Sequence, residues 1–146
     1  MILGALSMEW TVKFHEDFQA EFDALGEDVQ DELFAEAKFV RLYGPETSRP
    51  HVDTLKGSNF ANMKELRFEA ADGEWRAAFA FDPKREAIVL VAADKSGVSE
   101  KKFYKRLIDK ADARYAQHLE TLKDEEKATA AKQTAAKPAT KKGKKR

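Results

Sequence analysis

The sequence has no cysteine. A disulfide framework, a thiolate metal site and a cysteine nucleophile are therefore excluded. No stretch approaches the roughly 20 consecutive apolar residues that a membrane-spanning helix needs. The three histidines, His15, His51 and His118, are scattered, which argues against a zinc cluster. There is no glycine-rich phosphate loop, no Walker motif and no paired-carboxylate arrangement above background. Net charge is also lacking, but by cancellation: residues 1–97 carry eleven Lys/Arg against nineteen Asp/Glu, and residues 98–146 carry fifteen against seven. An acidic front and a basic back suggest two partners, or one partner met by one end.

What is present is one domain's worth of chain. At 146 residues, a domain buries roughly 70% of its unfolded surface and needs no metal or disulfide to fold. The apolar start, Met1 to Ser7, has no positive flank and is too short for a signal-peptide core, so a cytoplasmic location is expected. Residues 1–8 are read as an extension ahead of the fold, and residues 9–123 as the domain. The remainder, 124–146, is expected to be a disordered Lys-rich tail. From Lys127 to Arg146 eight of twenty residues are basic, none is acidic and none is a large apolar side chain. Such a segment cannot offset its ordering entropy by burial. It reads equally as a polycationic arm for RNA, DNA or the ribosome and as a solubilising tail.

Within the domain, Glu9–Phe14 alternates polar and apolar residues, as a half-buried strand does. Phe18, Phe22 and Leu25, then Val29, Leu33, Ala37, Val40 and Tyr43, recur at helical spacing and predict a helical hairpin. It carries nine acidic residues and no Lys or Arg between Glu16 and Glu36. A loop is expected from Pro45 to about Met63, long enough to be functional or mobile. Three strands follow, Lys64–Ala70, Trp75–Phe81 and Ala87–Ala93, with turns at Asp72-Gly73 and Asp82–Arg85. Ser99 is placed to cap a last helix whose stripe is Phe103, Leu107, Ala111, Tyr115, Leu119 and Leu122. The expected fold is α+β, in the order β-α-α-β-β-β-α, with a helical hairpin and a C-terminal helix around a small, mostly antiparallel sheet.

The hairpin register identifies a candidate site. With Asp72-Gly73 as the turn, Phe68 faces Ala77 and Leu66 faces Phe79 on the core side. Arg67 and Arg76 become diagonal neighbours on the opposite face. A second turn that pairs Phe79 with Ile88 and Ala77 with Leu90 keeps the same parity and brings Lys95 to the arginine side. Cations above small residues make a shallow concavity suited to phosphate, which Arg grips through a two-pronged fork. The bland alternative is that Glu69 lies opposite Arg76 and pairs with it at the surface. Lys56 and Lys64 join the cluster only if the long loop folds back. Tyr104 lies one residue off the last helix's stripe and either presents its phenol to the sheet or packs its ring at the edge. His51, in the loop, is a candidate acid or base.

Leu55-Lys56-Gly57, Lys64-Glu65-Leu66-Arg67 and Trp75-Arg76-Ala77-Ala78-Phe79 together resemble the RelE/ParE superfamily of toxin–antitoxin toxins, in its HigB-like branch. Asp94-Lys95-Ser96-Gly97 and Lys102-Phe103-Tyr104-Lys105 fit the same branch, and the resemblance covers roughly residues 9–123. It implies a RelE-like fold and a type II toxin that inhibits translation as a ribosome-dependent messenger-RNA endoribonuclease. The reaction it implies uses no metal or cofactor. The RNA's own 2′-hydroxyl attacks the adjacent phosphate, leaving a 2′,3′-cyclic or 3′-phosphate and a 5′-hydroxyl, and preorganised cations stabilise the developing charge. By position, the resemblance makes Arg76 the transition-state arginine and Arg67 a supporting phosphate clamp. Lys95 and Tyr104 fall near the 2′-hydroxyl and the leaving oxygen, and Lys56, Lys64 and Lys102 bind RNA. The implied partners are messenger RNA on the ribosome and a helix-turn-helix, HigA-like antitoxin, with a heterotetramer as the expected assembly. Two other readings stand beside it: a ParE-like inhibitor of DNA gyrase, and an inactive toxin-like protein that binds nucleic acid through its tail.

Overall fold

The computed structural model describes residues 9–145, with side chains described as far as Gln133. The proposed extension at residues 1–8 lies outside them. Its elements are β1 (Thr11–Phe14), α1 (Glu16–Asp23), α2 (Glu27–Tyr43), a 3-10 turn (Gly44–Glu46), β2 (Val52–Thr54), β3 (Met63–Ala70), β4 (Gly73–Phe81), β5 (Glu86–Asp94) and α3 (Glu100–Lys145). One five-stranded sheet has the order β1-β5-β4-β3-β2, in which β1 runs parallel to β5 and all other pairs are antiparallel.

The helical hairpin forms because its apolar stripe has the sheet to bury against. Phe18, Phe22, Val29, Leu33 and Val40 pack with Leu66, Phe68, Ala77, Phe79 and Val89 in one core cluster. Tyr43, expected in that stripe, is exposed where the helix runs out at Gly44. Ser99 accepts the Lys102 backbone N–H at its hydroxyl, as a cap should, and α3 then buries Phe103, Leu107, Ala111 and Tyr115. Arg114 ties α3 to both the sheet and α1, donating to the Leu90 carbonyl and to the Glu21 carboxylate. That guanidinium holds the Glu21 carboxyl below its ordinary range.

Three expectations need correction. The long loop contains a fifth strand, β2, whose three residues pair with Lys64–Leu66; so short an edge strand leaves no alternation to read. The first hairpin turns at Ala71-Asp72, both with positive φ, not at Asp72-Gly73. Phe68 therefore faces Trp75, and Leu66 faces Ala77. Gly73 is a glycine for another reason: a Cβ there would lie 2.5 Å from the Asp94 carboxylate, which accepts the Glu74 and Ser96 N–H groups. Because the slip is by two residues, every side chain keeps its predicted face. In the second hairpin Phe79 pairs with Val89 and Ala77 with Ala92, across a bulge at Ala78/Phe79 that leaves Leu90 unpaired. The continuous apolar run of β5 offers no alternation to set that register.

The chain divides into two units, the first ending at Tyr115 and the second beginning at Ala116. In the second, the backbone is helical to Lys145, where disorder was expected from residue 124. Ala, Lys, Gln and Glu are strong helix formers, and propensity acts without burial. Lys123 to Gln133 are all exposed, in keeping with the composition. Among the described residues no helix is long and apolar enough to cross a membrane.

Candidate functional site

The site is built on β3 and β4. Arg67 and Arg76 are direct register partners, not diagonal ones, so their side chains leave the same face at the same level. Glu69 consequently lies opposite Glu74 and is not the partner of Arg76. That role falls to Glu65, two residues before Arg67 and on the same face by strand alternation. Glu65 is 4% exposed. Its carboxylate accepts from Arg67 Nη1 at 3.1 Å and from the Tyr104 hydroxyl at 2.9 Å, and lies 3.8 Å from Arg76 Nε.

Arg76 is 5% exposed. It is held from three directions: Nε donates to the Tyr104 oxygen at 3.3 Å, Nη1 donates to the Trp75 carbonyl at 2.9 Å, and Nη2 lies 4.0 Å from Glu74. A guanidinium so restrained has little orientational freedom left to lose when it meets an anion. Tyr104 points its phenol at the sheet. Burial raises its pKa, the bond to Glu65 raises it further, and Arg76 partly offsets both. At neutral pH it is a protonated donor.

Two open clefts meet at Arg67. The smaller, about 310 Å³, is lined by Lys56, Glu65, Arg67, Lys95, Glu100 and Tyr104, among others. The long loop does fold back here and brings in Lys56. Lys95 Nζ sits 3.2 Å from Glu100, a pair whose carboxylate is 72% exposed and can swing into solvent. The larger, about 510 Å³, contains Arg67, Arg76, His51 and Glu36. Lys64, bonded to Thr54, and Lys102, exposed on α3, line neither cleft. Four of the cations have carboxylate partners, with Arg49–Asp53 added to those above; a bound phosphate has to exchange with these carboxylates.

The family described as "Phage derived protein Gp49-like (DUF891)" matches residues 20–116. HigB2 of Mycobacterium tuberculosis, named as a toxin, is 37% identical over 119 residues, covering 81% of this chain and 58% of that protein. HigB3 of the same organism, also named as a toxin, is 41% identical over 93 residues, covering 64% of this chain and 79% of that protein. The chain belongs to this Gp49-like family and is a relative of HigB3. A free-state structure of a doubly substituted Escherichia coli toxin RelE superposes with a TM-score of 0.52, covering 70% of this chain and 97% of that one. At 16% identity that likeness concerns the fold alone. This chain spans just over half of HigB2 and about four fifths of HigB3.

Within this HigB-like fold, Arg67, Lys95, Tyr104 and Lys56 come together in one cleft, and Arg76 joins them through Tyr104 and Glu65. Sequence reasoning missed Glu65 even though the signal was there, in the alternation Glu65-Leu66-Arg67. It also missed Glu36 beside His51, a contact 15 residues apart that no spacing rule reports.

Proposed function

We propose that this HigB-like chain is the toxin of a type II toxin–antitoxin pair and cleaves messenger RNA on the ribosome. The observation that carries the reading is the Arg67–Arg76 pair, set in register on one face, with a neutral phenol bonded into it and open clefts on either side. Phosphodiester cleavage by the RNA's own 2′-hydroxyl places extra negative charge on the phosphate oxygens in the transition state. Fixed guanidiniums stabilise that charge without reorganising. Arg76 is the more restrained and takes the transition-state role; Arg67, on the lip of both clefts, clamps the phosphate. Tyr104 accepts from Arg76 Nε and donates to Glu65, and so holds the Arg76 guanidinium in place for the phosphate. Lys95 and Lys56 hold the backbone on the side of the smaller cleft, and Lys64 and Lys102 contribute longer-range attraction to RNA. The partner proposed for the free toxin is a helix-turn-helix antitoxin, in a heterotetramer.

Primer extension on a defined message, translated in a reconstituted system, tests the reading. Cuts that need both ribosomes and the wild-type protein, and vanish with Arg76→Ala, are the expected result. Intact messages in cells whose growth is nevertheless arrested would transfer the reading to a gyrase-directed toxin.

A further inference from the structure

The two clefts reach different arginines. Arg67 lines both, but Arg76 opens only onto the larger one, which neither Lys95 nor Tyr104 walls. A phosphate that touches Arg76 from solvent therefore arrives beside a proton-transfer group, His51. The imidazole is built in. Its Nδ1 lies 2.7 Å from Glu36 Oε1 on α2, and its ring stacks on Phe39 with centroids 3.9 Å apart. Its carbonyl accepts the Arg67 N–H at 2.9 Å, tying the loop to the strand at the arginine itself. A carboxylate at Nδ1 keeps the neutral ring's proton on that nitrogen and leaves the Nε2 lone pair free as an acceptor. The His51 side chain is about one-third exposed, while Glu36 behind it is 15% exposed, so the orienting group is the more buried of the two.

We propose that His51, oriented by Glu36, is the proton acceptor of the RNA-cleaving site. This rests on the ribonuclease reading above. The 2′-oxygen bonds to phosphorus as its proton passes to Nε2. The bond from phosphorus to the 5′-oxygen breaks, and that oxygen takes a proton from water in the open cleft. The net change is one ribose hydroxyl proton released and another taken up with a 2′,3′-cyclic phosphate formed, and loss of the Nε2 proton to water restores the imidazole. The charged groups that line the larger cleft with His51 are Glu32 and Glu36 on α2, Arg67 and Glu69 on β3, and Glu74 and Arg76 on β4. Arg49, before His51, and Asp53 on β2 pair with each other.

The test is single-turnover cleavage of a ribosome-bound message by wild type, Arg76→Ala and His51→Gly, each checked for folding by thermal unfolding. His51→Gly is expected to slow cleavage by about 10²–10⁴-fold, the usual worth of a positioned base, and free imidazole to restore part of the rate. Glu36→Gln is expected to slow it less, lowering the maximal single-turnover rate while leaving the half-saturating protein concentration unchanged. A His51→Gly protein that cuts at the wild-type rate, or is slow and unmoved by imidazole, overturns the proposal, while a dead Arg76→Ala still upholds the ribonuclease reading. If His51→Gly does not fold, His51→Gln, which keeps a donor for Glu36, takes its place, and a wild-type rate there overturns the proposal equally. No cleavage by wild type overturns both.

Discussion

Arg67 and Arg76 face each other directly across β3 and β4, and the Glu65 carboxylate lies between their guanidiniums, 3.1 Å from one and 3.8 Å from the other. Like charges placed opposite each other across a sheet repel. Here one buried carboxylate offsets that repulsion, and Tyr104 completes the arrangement by donating to Glu65 and accepting from Arg76. The electrostatics that hold the site together thus run through a residue absent from the expected catalytic set.

Removing that carboxylate should be costly. Glu65→Ala leaves two facing guanidiniums and a phenol O–H without its acceptor, and breaking a buried ion pair from one side typically costs about 3–5 kcal/mol. Urea unfolding should show a loss of that size. Glu65→Gln, which keeps an acceptor for Tyr104, should lose less. A Glu65→Ala midpoint equal to wild type would show that the arginines do not depend on it.

The phenol of Tyr104 predicts a pH dependence on the alkaline side. Its pKa in the folded chain is raised above the ordinary 10.0, first by burial and then by the bond to Glu65. A raised value means that the folded state holds the proton more tightly. The associated stability is complete below about pH 10 and disappears as the pH climbs through the folded value. Tyr104→Phe removes the hydrogen bonds, worth about 1–3 kcal/mol with a charged partner, and should flatten the alkaline limb of stability against pH. Tyrosinate absorbance, compared between wild type and the variant, would register the missing late-titrating group.

Gly44 offers a test of the fold away from the clefts. It ends α2 at φ +56, and a Cβ there would lie 2.3 Å from the Trp10 indole nitrogen. Trp10 cannot easily give way, since Phe81 packs edge-on at 5.0 Å and the Arg85 guanidinium sits over its ring at 4.4 Å. Gly44→Ala should lower stability by about 2–4 kcal/mol through backbone strain and overpacking combined. Cleavage at low temperature should be unaffected, which a paired melt and activity assay would check.

The basic end can be separated from the chemistry by truncation. Residues 127–146 carry eight Lys or Arg. If all eight met phosphates of single-stranded RNA, deleting them would reduce the salt slope of log K by up to about 5–6. Deletion should therefore weaken and flatten non-specific RNA association measured by salt titration, while ribosome-dependent cuts persist. Cuts lost with the tail would make it part of the machinery.

Much of this was legible along the strands. Alternation in β3 and β4 placed Arg67 and Arg76 on one face even though the turn lay one residue earlier than Asp72-Gly73 suggested, because a slip of two positions preserves the face. The same alternation would have named Glu65. Register in β5 was not legible, since an uninterrupted apolar run pairs equally well in several alignments. Gly73 misled because glycine serves both tight turns and close approaches, and only the position of the Asp94 carboxylate distinguishes them.

The amino-acid sequence by itself determined the order of the three helices and of every strand but β2, the helical hairpin, the arginine face and the basic character of the C-terminal segment. These depend on periodicity, charge and local propensity, all of which act over a few residues. Tertiary structure alone decided that Glu65 lies between two arginines, that Arg76 opens onto a different cleft from Lys95 and Tyr104, and that His51 is held by Glu36. Those contacts join segments far apart in the chain, and only the packing of the helices and loop around the sheet brings them within hydrogen-bonding distance.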